Sequence, residues 1–278
     1  MIDYHTHTCH SIDANGSIQE YCEQALKLGL KEICITNHCE LDVFRNDSLI
    51  RFDNDRQPLT RQAIIRLRDE VIKAKEFYKK HGLSVRFGLE VGYFDGIESR
   101  LQKIMDGINF DFLLGSIHCL NHICIDSSKE HSLYFSMYTV PELLNNYLQA
   151  IEKLINSNLF DSIGHLDVYK KYGLNFYGKE IDTFPEDYLK KIFRIMMEKG
   201  IALEINTAGL RRIKEFYPSS GIMKCAREQG VKLITIGSDC HKLEDLGRDI
   251  EDGLEYAKSF GFGSVYGFEK RRPIEIKI

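Results

Sequence analysis

The chain has 278 residues, with 37 Lys and Arg against 41 Asp and Glu, a formal net charge of −4 and 43% apolar residues. This near-neutral balance excludes a polyanion-binding surface, and no apolar run approaches the roughly 20 residues that cross a bilayer. A chain this apolar with so little net charge can bury enough surface to offset its ordering entropy, so general disorder is excluded as well. The start, MIDYHTHTCH, has neither a basic segment nor an apolar one, so a cytoplasmic, non-exported protein is expected.

Short apolar or β-branched runs alternate with longer amphipathic ones. The first strand is predicted over residues 2–7, and the helix after it opens on the capping box Ser17-x-x-Glu20 and closes at Gly29. A second strand, 32–38, leads through a polar insertion at 41–57 to a long helix over 60–80. A third strand at 85–91 precedes a helix at 97–105, and a fourth strand covers 110–118. The excursion at 120–139 has no helical stripe and reads as a loop over a site. A helix at 141–156, a strand at 162–167, a helix at 185–199, a strand at 201–206, a helix at 219–229, a strand at 231–238 and a helix at 243–260 complete the pattern. Seven βα repeats without a Pro/Gly-rich linker make one domain, 1–278, and favour a closed barrel over an open sheet. The turn after the first strand, HTHTCHS, lacks the glycines of a dinucleotide-binding turn.

Six of the ten histidines fall at predicted strand C-termini: His5, His7, His38, His118, His165 and His241. Glu90 and Asp239 join them, and in a parallel barrel such ends converge on one mouth. Residues two apart on a strand face the same side, so His5 and His7 can hold one ion together, as can Asp239 and His241. Imidazoles with carboxylates suit zinc, iron or manganese better than calcium or magnesium. His81 and His131 read as helix-end and surface residues, and His10 and His122 are not assigned. The eight cysteines contain no C-x-x-C pair and read as buried apolar side chains; Cys39, Cys119 and Cys240 adjoin candidate ligands but should point away from them.

The motifs DYHTHT (3–8), TNHCE (36–40), GLEVGY (88–93), GSIH (115–118), GHLD (164–167) and GSDCH (237–241) resemble, in order, those of the PHP (polymerase and histidinol phosphatase) family of metal-dependent phosphoesterases. The resemblance implies a distorted (βα)7 TIM-like barrel with three divalent metal ions. Carried over by position, His5, His7, Glu90 and Asp239 would hold one ion, and Glu90, His118 and His165 a second. The third would take His38, His241 and Asp13, a position where some relatives carry histidine. Many relatives have Asp where this chain has Asn37, which is expected to sit behind the ligands. LEINTAGLRR (203–212) is similar to the histidinol-phosphatase branch and places Arg211 as a phosphate grip; GHLDVYKKYG (164–173) places Lys170 as a second basic group.

The implied reaction is hydrolysis of L-histidinol phosphate to histidinol and phosphate by in-line attack of a metal-bridged hydroxide, with Asp13 or His241 protonating the leaving alkoxide. The expected partner is a small phosphorylated molecule, with neither nucleic acid nor membrane, on a monomer or homodimer. Another phosphate ester (a nucleotide, a sugar phosphate or phosphotyrosine) is the nearest alternative. An amidohydrolase barrel would want a metal-bridging lysine where this chain has GSIH, and a non-catalytic sensor would bind metal without turnover.

Overall fold

A computed structural model describes all residues, 1–278. Its strands are β1 (Ile2–Thr6), β2 (Glu32–Ile35), β3 (His38–Glu40), β4 (Leu49–Phe52), β5 (Asp55–Pro58), β6 (Ser84–Gly92), β7 (Phe112–Ser116), β8 (Cys119–Leu120), β9 (Ile123–Cys124), β10 (Ser162–Ile163), β11 (Ala202–Asn206), β12 (Ile234–Gly237), β13 (Ser264–Glu269) and β14 (Arg272–Lys277). The helices are α1 (Ile18–Lys27), α2 (Arg61–Lys79), α3 (Glu98–Met105), α4 (His131–Phe135), α5 (Val140–Asn156), α6 (Lys170–Tyr177), α7 (Glu186–Lys199), α8 (Ala208–Ile213), α9 (Ser220–Glu228) and α10 (Ile250–Ser259).

Parallel pairing runs β1-β2-β6-β7-β10-β11-β12, with β3 continuing the β2 edge against β6. The ring closes where a parallel bridge joins Thr6 to Cys240, with backbone bonds from Asp239 N to His5 O (2.8 Å) and His7 N to Cys240 O (3.0 Å). This is the distorted seven-stranded barrel expected. Strands covered on both faces are near-continuous apolar runs, and β1, β2, β7, β11 and β12 are buried at every residue. Gly237 permits the closure, because a Cβ there would collide with the His5 side chain and stand 2.9 Å from Glu204 Oε1. Asp3 ties the same seam: its carboxylate accepts from Ser238 N (2.9 Å), Ser238 Oγ (2.5 Å) and Gly247 N (2.9 Å).

The expected capping box forms, with Ser17 Oγ accepting from Glu20 N and Glu20 Oε2 accepting from Ser17 N at 2.7 Å. Three local expectations need correction. The second strand breaks at Thr36–Asn37, where the Asn37 side chain turns in to accept from Thr8 N (2.8 Å) and Ser11 Oγ (3.0 Å), and pairing resumes with His38 opposite Glu90. The fifth strand ends at Ile163, since His165 takes a positive φ (20°) and its N–H donates to Glu204 Oε2 at 2.7 Å. The excursion at 120–139 is not irregular: it holds the β8–β9 hairpin and α4. Helices α6 and α8 were not anticipated, nor was the β13–β14 hairpin.

That hairpin floors the barrel. Phe268 packs on Phe112, itself edge-on to Tyr4, with ring centroids 5.0 and 5.2 Å apart. Arg271 reaches Asp161 at 2.6 Å, and Glu269 reaches Arg86 at 2.8 Å. The opposite, C-terminal end stays open and polar.

Candidate metal centre

Glu90, buried at the end of β6, is the hub. Its Oε1 lies 3.3 Å from His5 Nε2, 3.1 Å from His118 Nε2 and 2.9 Å from His165 Nε2; its Oε2 lies 3.4 Å from His7 Nε2 and 2.8 Å from His38 Nδ1. Asp239, held at φ +51° in the turn after β12, faces His5 and His7 at 3.6 Å and His241 at 3.5 Å. A non-glycine residue in that conformation is unfavourable, and such strain concentrates at functional sites. Asp13 comes within 3.4 Å of His241 Nε2 and 3.7 Å of His38 Nε2.

Ligand-competent atoms gather in overlapping groups: His5, His7 and Glu90; Glu90, His118 and His165; His7, His38 and His241; His5, His165 and Asp239; and His38, Glu40 and His118. Buried His5 Nε2 and His7 Nε2 have no hydrogen-bond partner although both face the Glu90 and Asp239 carboxylates. Buried polar atoms are normally satisfied, so this convergence of lone pairs fits divalent cations and costs stability without them.

Supporting contacts fix the rings. His5 Nδ1 meets Glu204 Oε1 at 2.7 Å, His118 Nδ1 meets Glu40 Oε1 at 2.7 Å, and His7 Nδ1 meets Ser11 Oγ at 3.2 Å. Such partners set the tautomer and raise ligand basicity. The sequence reading missed Glu204 and Glu40. Glu40 was findable, two residues beyond His38 on the same strand, and Glu204 is an acid in the apolar run of β11. Asn37 supports the centre through Ser11.

Burial opposes protonation of His5, yet Glu204, Glu90 and Asp239 hold it well above the ordinary imidazole range. His38 and His118 are raised likewise, against burial, by Asp13 with Glu90 and by Glu90 with Glu40. Burial pushes His7 down, helped by His38 and His241. Burial would raise Glu90, but His5, His118 and His38 hold it well below the carboxylate range.

Above the cluster lies a polar cavity of about 570 Å³. Arg211 lines it, its Nη2 donating to Ser238 O at 2.6 Å while Nη1 is buried without a partner. Lys170 does not reach it. Its Nζ is buried against Ser219 Oγ (3.0 Å) and Asp182 (3.0 Å), because the first turn of α6 points it away from the mouth. The cation delivered to the cavity is Lys171, 3.4 Å from Asp126. His10 and His122 pair with Glu70 (2.9 Å) and Asp42 (2.6 Å), outside the cluster. Cys39 and Cys240 are buried and Cys119 partly so, all free thiols.

A parallel barrel that gathers six histidines and their carboxylates under a cation-lined cavity at its strand C-termini is the architecture of a barrel metallohydrolase. Residues 3–208 match the PHP domain, and the chain belongs to the PHP family. It is 29% identical over 273 residues to a probable histidinol-phosphatase of Deinococcus radiodurans, covering 98% of both chains. It is 28% identical over 272 residues to the histidinol-phosphatase of Lactococcus lactis, covering 96% of this chain and 94% of the relative. The fold superimposes on the crystal structure of the histidinol phosphate phosphatase of Lactococcus lactis, complexed with zinc, L-histidinol and phosphate, with a TM-score of 0.78 at 23% identity and 98% coverage of each chain. No helix is long and apolar enough to cross a membrane.

Proposed function

We propose that this chain is a divalent-metal-dependent phosphomonoesterase that hydrolyses L-histidinol phosphate to histidinol and inorganic phosphate. The observation carrying the reading is the hub itself: five imidazoles within 3.4 Å of the Glu90 carboxylate, beneath a cavity bearing Arg211 and Lys171. Full-length similarity to histidinol-phosphatases supports the substrate.

Three ions would be held by His5, His7, Glu90 and Asp239; by Glu90, His118 and His165; and by His38, His241 and Asp13, with zinc favoured by the related crystal structure. When bound, they supply a lowered water pKa and positive charge opposite the phosphoryl oxygens. Arg211 offers its guanidinium to a phosphate oxygen and Lys171 adds a point charge on the same cavity lining, which together orient the ester for in-line displacement. Asp13, exposed at the rim of the centre, is held ionised by His38 and His241, so it is a poor proton donor to the leaving alkoxide. Glu204 and Glu40 keep His5 and His118 aimed inward.

The test is turnover of L-histidinol phosphate by zinc-loaded protein against nucleoside, sugar and tyrosine phosphates. A higher kcat/KM for any of those than for histidinol phosphate overturns the substrate assignment.

A further inference from the structure

The two-residue turn of the β8–β9 hairpin, Asn121 and His122, has φ values of +49° and +65°, and it sets Cys119 directly opposite Cys124. Ile125 N donates to His118 O at 2.9 Å, so the next pair out is hydrogen-bonded and Cys119–Cys124 occupies a non-hydrogen-bonded position. There the Cα atoms of an antiparallel ladder stand about 4.5 Å apart, within the range a disulfide spans. The two side chains share one face of the ladder as a directly opposed pair, and both residues are partly exposed. The Cys124 thiol also donates to Asp126 Oδ1 at 2.9 Å, and the other Asp126 oxygen lies 3.4 Å from Lys171 Nζ on the cavity wall.

We infer that Cys119 and Cys124 form a reversible cross-strand disulfide that weakens phosphate binding in the adjacent cavity. With a low-molecular-weight disulfide RSSR as oxidant, one cysteine sulfur attacks RSSR and releases RSH, and the second then attacks the mixed disulfide and releases another RSH. Two S–H bonds and one S–S bond are broken; one protein S–S bond and two RSH molecules form. Oxidation removes the Cys124 S–H that donates to Asp126, which leaves Lys171 to neutralise that carboxylate and draws the lysine away from a phosphate in the cavity. The neighbouring Cys119 thiol, burial and Asp126 hold the Cys124 thiol well above the ordinary range, so the bridge forms slowly.

The experiment incubates metal-loaded protein for hours with oxidised glutathione and maps disulfides by mass spectrometry. A peptide linking Cys119 to Cys124 is expected in the wild type, with a roughly tenfold rise in KM for histidinol phosphate, the scale of one charge-assisted hydrogen bond, reversed by dithiothreitol. C119S and C124S should show no oxidant-dependent change. Absence of the linked peptide, an unchanged KM in the linked protein, or an equal KM rise in C119S overturns the inference. The kinetic arm rests on the phosphatase reading: if reduced protein does not hydrolyse histidinol phosphate, that reading fails by itself, and calorimetric Kd for inorganic phosphate replaces KM.

Discussion

His5 Nδ1 and Glu204 Oε1 are 2.7 Å apart, both fully buried, although 199 positions separate them in the chain. The carboxylate fixes the His5 tautomer, so that Nε2 faces Glu90 and Asp239. Glu204→Gln keeps the shape but removes the charge. It should lower metal affinity by about 10–100-fold, read by zinc titration against a competing chelator, with the barrel still folded by circular dichroism.

Glu90→Gln removes the counter-charge that five imidazoles share. The expected result is loss of bound metal by elemental analysis and of phosphatase activity to background. Retention of the wild-type metal content would contradict the hub role.

Arg211→Ala should raise KM for the phosphate ester by roughly 10–100-fold, the range of a charge-assisted hydrogen bond, with a smaller change in kcat. An unchanged KM would remove Arg211 from phosphate recognition.

Neighbouring lysines should behave differently. Lys171→Met loses a cavity cation and should raise KM with little change in Tm. Lys170→Met breaks a buried contact set with Asp167, Asp182 and Ser219, and should cost about 3–5 kcal/mol in a denaturant titration because Asp167 is left buried and unpaired.

The metal-free protein should be less stable at alkaline pH. His5, His38 and His118 have folded pKa values raised above 6.5, so their contribution is complete below that value and is lost as pH rises through the folded ones. Glu90 and Asp239 are depressed, so theirs is present above the unfolded carboxylate values and is lost as pH falls through the folded ones. His7 works in the opposite sense to the other three histidines. Tm in chelator should therefore decline from about pH 6.5 upward, while the gain on adding zinc grows, because ions must displace protons from the imidazoles.

Much of this centre is local in the chain. The same-face spacing of His5 with His7 and of Asp239 with His241, and the placing of Glu90 and His118 at strand ends, follow from strand geometry, so the sequence by itself determined the barrel class and which side chains gather at its mouth. Other features depend on neighbours far along the chain. Lys170 and Lys171 are adjacent and chemically alike, and only the pitch of α6 decides which faces the cavity. Glu204 reads as one acid in an apolar strand until β12 and β1 close beside it through Gly237. The hairpin that floors the barrel is short and exposed on one side, and its purpose lies in Phe268 meeting Phe112, a contact no local pattern encodes. Periodicity reports which face of an element is buried; which residues meet there is fixed only when the ring closes.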